Sequence, residues 1–388
     1  MGRLVYLDHA ATTPVLPEVV AAMLPYYHEQ WANPSSVYSL GRAARRAIDA
    51  ARDTVADVLG CRANEVVFTG GGSESDNLAI IGVALRLRAR GMHLVTSAVE
   101  HHAVLHSMRW LERELGFQVT VLDVDRYGMV DPDAVERALR PDTTLVSVML
   151  ANNEVGTVEP VAEIAGLCRR RGVVMHTDAV QAAGQLDLDV GRLGVDLLSI
   201  SGHKLYGPKG VGVLYARRGT PLTALLHGGG QERGLRSGTE NVAGIVGLAK
   251  ALELAAAALE SRVAHLRRMR DRLLEEIPAR IPGVLITGHP TRRLPNNASF
   301  AFEGADGESI LLNLDQRGIC ASSGSACTSG SLEVSHVVRA LGVPESAASG
   351  TLRLSTGIHT SDEDVQRVVE ALPEIVQRVR DVAAVATG

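Results

Sequence analysis

Between residues 66 and 216 the chain alternates short runs of β-branched and aliphatic residues with longer stretches of helical length. The runs VVFT (66–69), HLVTS (93–97), QVTVLDV (118–124), TLVSVML (144–150), VVMHTDA (173–179), DLLSIS (196–201) and GVGVLYA (210–216) predict strands. Several are apolar almost without interruption, as in a mostly parallel sheet covered on both faces. Segments 74–89, 131–139 and 158–171 predict helices between them. Strand and helix in alternation predicts an α/β fold.

After residue 240 the pattern changes. A helical stretch over 240–278 leads to short strands VLITG and NASFAFE, a helix near 306–317 and a Ser/Gly-rich segment. Next come a helix near 333–341, a strand TLRLST and a terminal helix from 361. The expected organisation is a large domain over 15–260 and a smaller α+β domain made of 1–14 with 261–388. The small domain carries the segment 321–332, read as a mobile loop around Cys327 because small polar residues pack weakly.

Composition narrows the function classes. With 388 residues, 46% hydrophobic and 21% charged, the chain has the make-up of a globular protein with room for two domains. A formal net charge of −5 argues against a dedicated nucleic-acid binder. The start MGRLVYLDHA lacks a secretory apolar core, and the Ala-rich window 242–259 carries Lys250 and Glu253, so neither export nor a membrane span is expected. The four cysteines (61, 168, 320, 327) form no C-x-x-C pair, so reduced thiols in a cytoplasm are the expectation.

Ligands of α/β sheets bind at the carboxyl ends of strands, so the residues just past each strand are the candidates for chemistry. GGGSES (70–75) opens a helix after the first run: a phosphate cradle, or an N-cap turn with Ser73 capping. Asp178 ends another strand with Gln181 three residues on, so it caps a helix or faces a protonated heteroaromatic nitrogen. Lys204 in GHKLYGPKG comes directly after a strand, as a solvated lysine or a Schiff-base amine. A Walker A reading fails there because Gly210 stands where Ser or Thr is needed. His101, His102 and His106 lack the companions of a zinc site, and an imidazole stacked on a planar ring is the better role. A phosphate cradle, a strand-end acid, a strand-end lysine and a histidine on sheet loops are the set that pyridoxal phosphate requires.

The motifs YLDHAATTP, NPSSVYSLG, FTGGGSESDNLAI, EHHAV, NNEVGTVEP, HTDAVQAAG, SGHKLYGPKGVG, GGGQERGLRSGTEN, SSGSACTSGSLEVSHVVRALG and LRLSTG run nearly end to end. With them the chain resembles the cysteine desulfurases of the class V aminotransferase fold, in the group with a long active-site loop. The resemblance implies fold type I, a homodimer and pyridoxal phosphate linked to Lys204. It implies Asp178 at the pyridine nitrogen, Gln181 at the ring oxygen and His101 stacked on the ring. Gly72, Ser73, Ser201 and His203 would hold the phosphate, with Thr239 reaching over from a second copy, and Asn153 beside the cofactor. Asn33 and Arg353 would take the carboxylate of L-cysteine. Cys327 would capture the sulfur as a persulfide for an acceptor protein, an iron–sulfur scaffold or a thiolation relay. No resident metal is implied, although Cys327 could ligate iron transiently during transfer. A selenocysteine lyase of the same fold, or a non-catalytic sulfur-relay partner, are the alternatives. The bland ending RVRDVAAVATG lacks the extended tail with which many relatives dock a scaffold.

Overall fold

The computed structural model describes residues 4–323 and 334–387. Among them, seven strands form one sheet: β2 (Val66–Thr69), β3 (His93–Ser97), β4 (Gln118–Leu122), β5 (Thr143–Ser147), β6 (Val174–Asp178), β7 (Leu197–Ser201) and β8 (Gly212–Ala216). Their spatial order is β2-β8-β7-β6-β5-β3-β4. Neighbours run parallel except around β8, which is antiparallel to both β2 and β7. The carboxyl ends of β2, β3, β5, β6 and β7 therefore share one edge.

Alternate residues of each strand enter two different cores. Val66, Phe68, Val146, Leu198 and Val213 pack on one side, against the helices Ser39–Leu59, Val161–Arg171 and Val242–Ala257. Val67, Leu145, Leu197 and Leu214 pack on the other, against Gly72–Leu87 and His102–Leu115. Burial on both faces is why the runs are apolar at nearly every position.

Several strands are shorter than their apolar runs. β5 ends at Ser147, yet Val148, Met149 and Leu150 stay buried. Past the strand end the Val148 and Leu150 amides still donate to the His176 and Asp178 carbonyls of β6, at 3.2 and 2.8 Å, so the chain stays under cover as it reaches the sheet edge. β8 starts at Gly212 because Gly210 turns through φ 74°. The single helical stretch expected over 240–278 is broken at Ala258 into Val242–Ala257 and Leu259–Arg280, bent by 77°. The first piece is buried in the sheet's core, whereas the second turns its Met269, Leu273 and Ile277 to a different one. One straight helix could not serve both.

That second core lies beneath a three-stranded antiparallel sheet, with β10 (Asn297–Phe302) between β9 (Val284–Ile286) and β12 (Thr351–Ser355). Leu259–Arg280, Gly307–Gln316 and Asp362–Thr387 cover it through residues such as Leu273, Ile310, Leu314, Val365 and Leu372. In β12, Leu352 and Leu354 enter this core, and Arg353 between them faces the opposite way. Strand β1 (Val5–Tyr6) pairs in parallel with β11 (Ile319–Cys320). Cys320 is half-buried at the end of that two-residue strand.

Candidate active site

At the shared strand edge a cleft of about 330 Å³ is lined by Gly72, Ser73, His101, Asn153, Asp178, Gln181, Ser201, His203, Lys204 and Arg353. Each of five parallel strands delivers its next loop to this place, so residues far apart in sequence meet without long connections.

The helix Gly72–Leu87 begins at the cleft. Its N-cap is Gly71, with φ 153° and no capping side chain, so the Ser73 cap does not form. A Cβ on Gly72 would stand 2.8 Å from Val180 Cγ2, so glycine is what lets this turn pack so close. The first amide groups are left without a side-chain acceptor beside Ser73, Ser201 and His203. That donor set suits a phosphate.

Lys204 sits in a short 3₁₀ turn, Gly202–Lys204, immediately after β7. Its Nζ donates to the carbonyls of Ala10 and, at 2.7 Å, Ala11. Gln181 Nε2 also donates to the Ala10 carbonyl, at 3.0 Å. Two residues on, Tyr206 holds φ 68°, a left-handed value costly for an aromatic residue. It is kept there by hydrogen bonds to Thr13 Oγ1 and the Ile358 amide, and by the Arg262 guanidinium 5.4 Å from its ring centre.

Asp178 Oδ1 accepts from the Val180 amide at 2.9 Å. Burial pushes its carboxyl above the usual range, against the Val180 amide and the Lys204 charge. His101 is the N-cap of His102–Leu115, and its Nδ1 accepts from the Ala103 amide at 3.1 Å. Burial, then Lys204 and two neighbouring histidines, lower its pKa to about 4, so the ring is neutral and carries its proton on Nε2. His203 is likewise lowered to about 4, by burial and then by Lys204 and Lys209.

On the opposite wall Arg353 is 2% exposed. Its Nη1 donates to the Asn153 carbonyl at 2.9 Å and its Nη2 to Asp8 Oδ1 at 2.8 Å. The Arg353 and Ser322 backbones exchange hydrogen bonds, 2.6 Å for the Arg353 amide and 3.2 Å for the Ser322 amide. Ser335, the N-cap of His336–Ala340, donates to Glu154 Oε2 at 2.6 Å. Both flanks of the segment that contains Cys327 are thereby attached to this wall, while Cys327 itself lies outside the described residues.

Two expected residues do not line the cleft. Asn33 is exposed and its Oδ1 accepts from the Ser35 amide at 2.9 Å. Thr239 is exposed before the helix Val242–Ala257, outside the cleft lining. Three residues were given no catalytic or binding role from the sequence, Asp76 being read only as the residue three positions after a Ser73 N-cap. Ala10 and Ala11 act through carbonyls, which leave no side-chain signature. Asp76, inside the Gly72–Leu87 helix, lines the cleft floor; a carboxylate on a helix face otherwise made of Ala79, Ile80 and Val83 is the signal that marks it.

The class V aminotransferase model matches residues 5–368. The chain belongs to this family. Its relatives include the "cysteine desulfurase IscS" of Methanosarcina thermophila, 53% identical over 98% of this chain and 94% of that one. That of Dictyoglomus turgidum is 49% identical over 99% and 97%. Among solved structures, a "NifS-like protein" superimposes with TM-score 0.91 at 37% identity, covering 97% of this chain and 100% of that one. A structure of SspA in complex with cysteine gives 0.81 at 37% identity, covering 92% and 99%. As a class V member, the chain has the fold type I architecture that the resemblance implies, within the α/β class that its strand pattern predicts.

Proposed function

We infer that the chain is a cysteine desulfurase that uses pyridoxal phosphate to move sulfur from L-cysteine onto Cys327, leaving L-alanine. The observation that carries this is the convergence of Lys204, Asp178, His101 and Arg353 on one cleft. The cleft also suits the cofactor chemically. It offers an uncapped helix terminus with the Gly71–Gly72 turn for a phosphate, a buried carboxylate for a pyridine nitrogen and an amine for an aldehyde.

When bound, pyridoxal phosphate supplies an electron sink that acidifies the substrate Cα–H and loosens the Cβ–S bond. Asp178 would keep the ring nitrogen protonated, and Gln181 would hold the ring oxygen. The neutral His101 ring would stack on the cofactor and present Nε2–H. Arg353 binds the substrate carboxylate, and its fork is held open by Asn153 and Asp8. Lys204 Nζ would take the Cα proton from its place in the short turn after β7. Cys327, as thiolate, attacks the substrate sulfur: an S–S bond forms, the Cβ–S bond breaks and the carbon is reprotonated as alanine. An acceptor protein then takes the persulfide sulfur, and Thr239 serves the phosphate of a second copy in a homodimer.

The purified chain should be yellow and release alanine and sulfide from L-cysteine. Cys327→Ala should keep the colour and lose persulfide and turnover; normal turnover in that variant would remove Cys327 from the reaction.

A further inference from the structure

Asp76 has no part in the chemistry described so far, and its surroundings are unusual for a carboxyl group. It is 1% exposed, and its Oδ1 has no hydrogen-bond partner among the described residues. One oxygen each of Asp76 and Asp178 and a ring nitrogen of His101 lie within 4.8 Å of one another. Glu100, 0% exposed at the end of the β3 loop, adds a third carboxyl to the neighbourhood.

The groups facing Asp76 offer it hydrogen bonds but no positive charge. Ser199 on β7 hydrogen-bonds it, and His176 Nε2 on β6 stands 3.6 Å from Oδ1. His176 is itself tied into a buried ladder, to Ser147 Oγ at 2.8 Å and to Ser199 Oγ at 3.0 Å. Full burial lowers its pKa to about 3, so the imidazole is neutral. His101 is neutral too, and the Lys204 ammonium is directed to the Ala10 and Ala11 carbonyls. A dry carboxylate beside a second carboxylate and without a cation is strongly disfavoured, and such pairs ionise one member at a time. Asp178 has what an anion needs, the Val180 amide and the field of Lys204. Asp76 has burial and the repulsion of Asp178, which push its carboxyl well above the ordinary range.

We propose that Asp76 is a positioning residue that remains a neutral carboxylic acid beneath the cleft, so that the Asp76–Asp178 pair carries one negative charge and Asp178 is the member that bears it. The inference rests on the reading of Asp178 as partner of the ring nitrogen. Its consequence is that the cleft floor presents one full negative charge to the ring, and the ladder Ser147–His176–Ser199–Asp76 fixes where that charge sits. A hydrophobic residue at 76 would leave Ser199 and His176 facing an apolar group.

The test is infrared difference spectroscopy on the full chain as purified, wild type minus Asp76→Asn. At pH 7.5 the wild type should show a carboxylic-acid C=O band that this variant lacks. Asp178→Asn removes the repelling charge, so the same band should vanish at a pH at least ~1 unit lower than in the wild type. No acid band assignable to Asp76, or a band that Asp178→Asn leaves in place, would overturn the proposal whether or not the cofactor reading is right. The absorbance of the bound cofactor gives a second readout. Its pH titration should be unchanged in Asp76→Asn, which keeps a neutral polar group, and displaced in Asp76→Leu. Equal titrations in the two variants would reduce Asp76 to packing and overturn the positioning role.

Discussion

Arg353 gives the sharpest quantitative test of the substrate site. The guanidinium is almost wholly buried, with one prong on the Asn153 carbonyl at 2.9 Å and the other on Asp8 at 2.8 Å. Its plane is set before substrate arrives, so little side-chain entropy is lost on binding. A hydrogen bond to a charged group contributes ~1.5–3 kcal/mol, and a two-pronged carboxylate uses two, or ~3–6 kcal/mol. At ~1.4 kcal/mol per tenfold, Arg353→Ala should lower kcat/KM for L-cysteine by roughly 10²- to 10⁴-fold. Asp8, stripped of its counter-ion and facing an anionic substrate, pushes the effect to the upper end. Arg353→Lys keeps the charge but loses the fork, and the loss of one bond predicts ~10- to 150-fold. Alanine formation over a range of L-cysteine concentrations measures both variants, with absorbance confirming equal cofactor content. If Arg353→Ala stays within ~3-fold of wild type, the carboxylate is bound elsewhere and the assignment is wrong.

Other substitutions probe the remaining parts of the structure. Lys204→Ala should lose the yellow colour after dialysis and all alanine formation; a variant that keeps both would place the linkage on another amine. Arg52 and Glu232 form a buried two-pronged pair, at 2.7 and 2.6 Å, and Glu232 also accepts from the Phe68 amide. Arg52→Ala leaves that carboxylate buried and unpaired, so urea unfolding should show a loss of ~3–5 kcal/mol. Burial raises Glu100 to about 8, so the folded state binds its proton more tightly than the unfolded one. That contribution is fully present below the unfolded pKa near 4.5 and is lost as pH rises through about 8. Glu100→Gln should therefore raise Tm relative to wild type at pH 9 and leave it nearly unchanged at pH 5. His101, His176 and His203 act in the opposite sense, since all three are held below 6.5 by burial. Their share of stability is lost as pH falls from 6.5 toward 4 and 3, visible as a falling Tm on the acid side.

The sheet was legible because its strands other than the edge strand β4 are buried on both faces, and the five that lead into the cleft each end in a polar residue. Thr69, Asp178 and Ser201 mark the points where apolar burial stops and the cleft begins. The same rule overran at Val148–Leu150, where burial and two backbone hydrogen bonds to β6 continue past the end of the regular strand. The break at Ala258 left no mark because alanine and leucine favour helix on either side of it; which core each half must cover decides it. Asp76 was harder still. In sequence it is one acid in a helix's first turns, and its meaning comes from Asp178, a hundred positions away on another strand.

The attachment of Ser322 and Ser335 to the Arg353 wall also bears on kinetics. Cys327 is five positions beyond Ser322, so at ~3.3–3.6 Å per residue it can never be more than ~18 Å from that anchor. One thiol confined to a sphere of that radius has a local concentration of roughly 0.07 M, well above the millimolar scale typical of short flexible linkers. With Cys327 as the proposed sulfur acceptor, that step should behave as a unimolecular event, its rate unchanged when the enzyme is diluted. The thiol needs no affinity of its own for the bound substrate, because the anchor already supplies proximity.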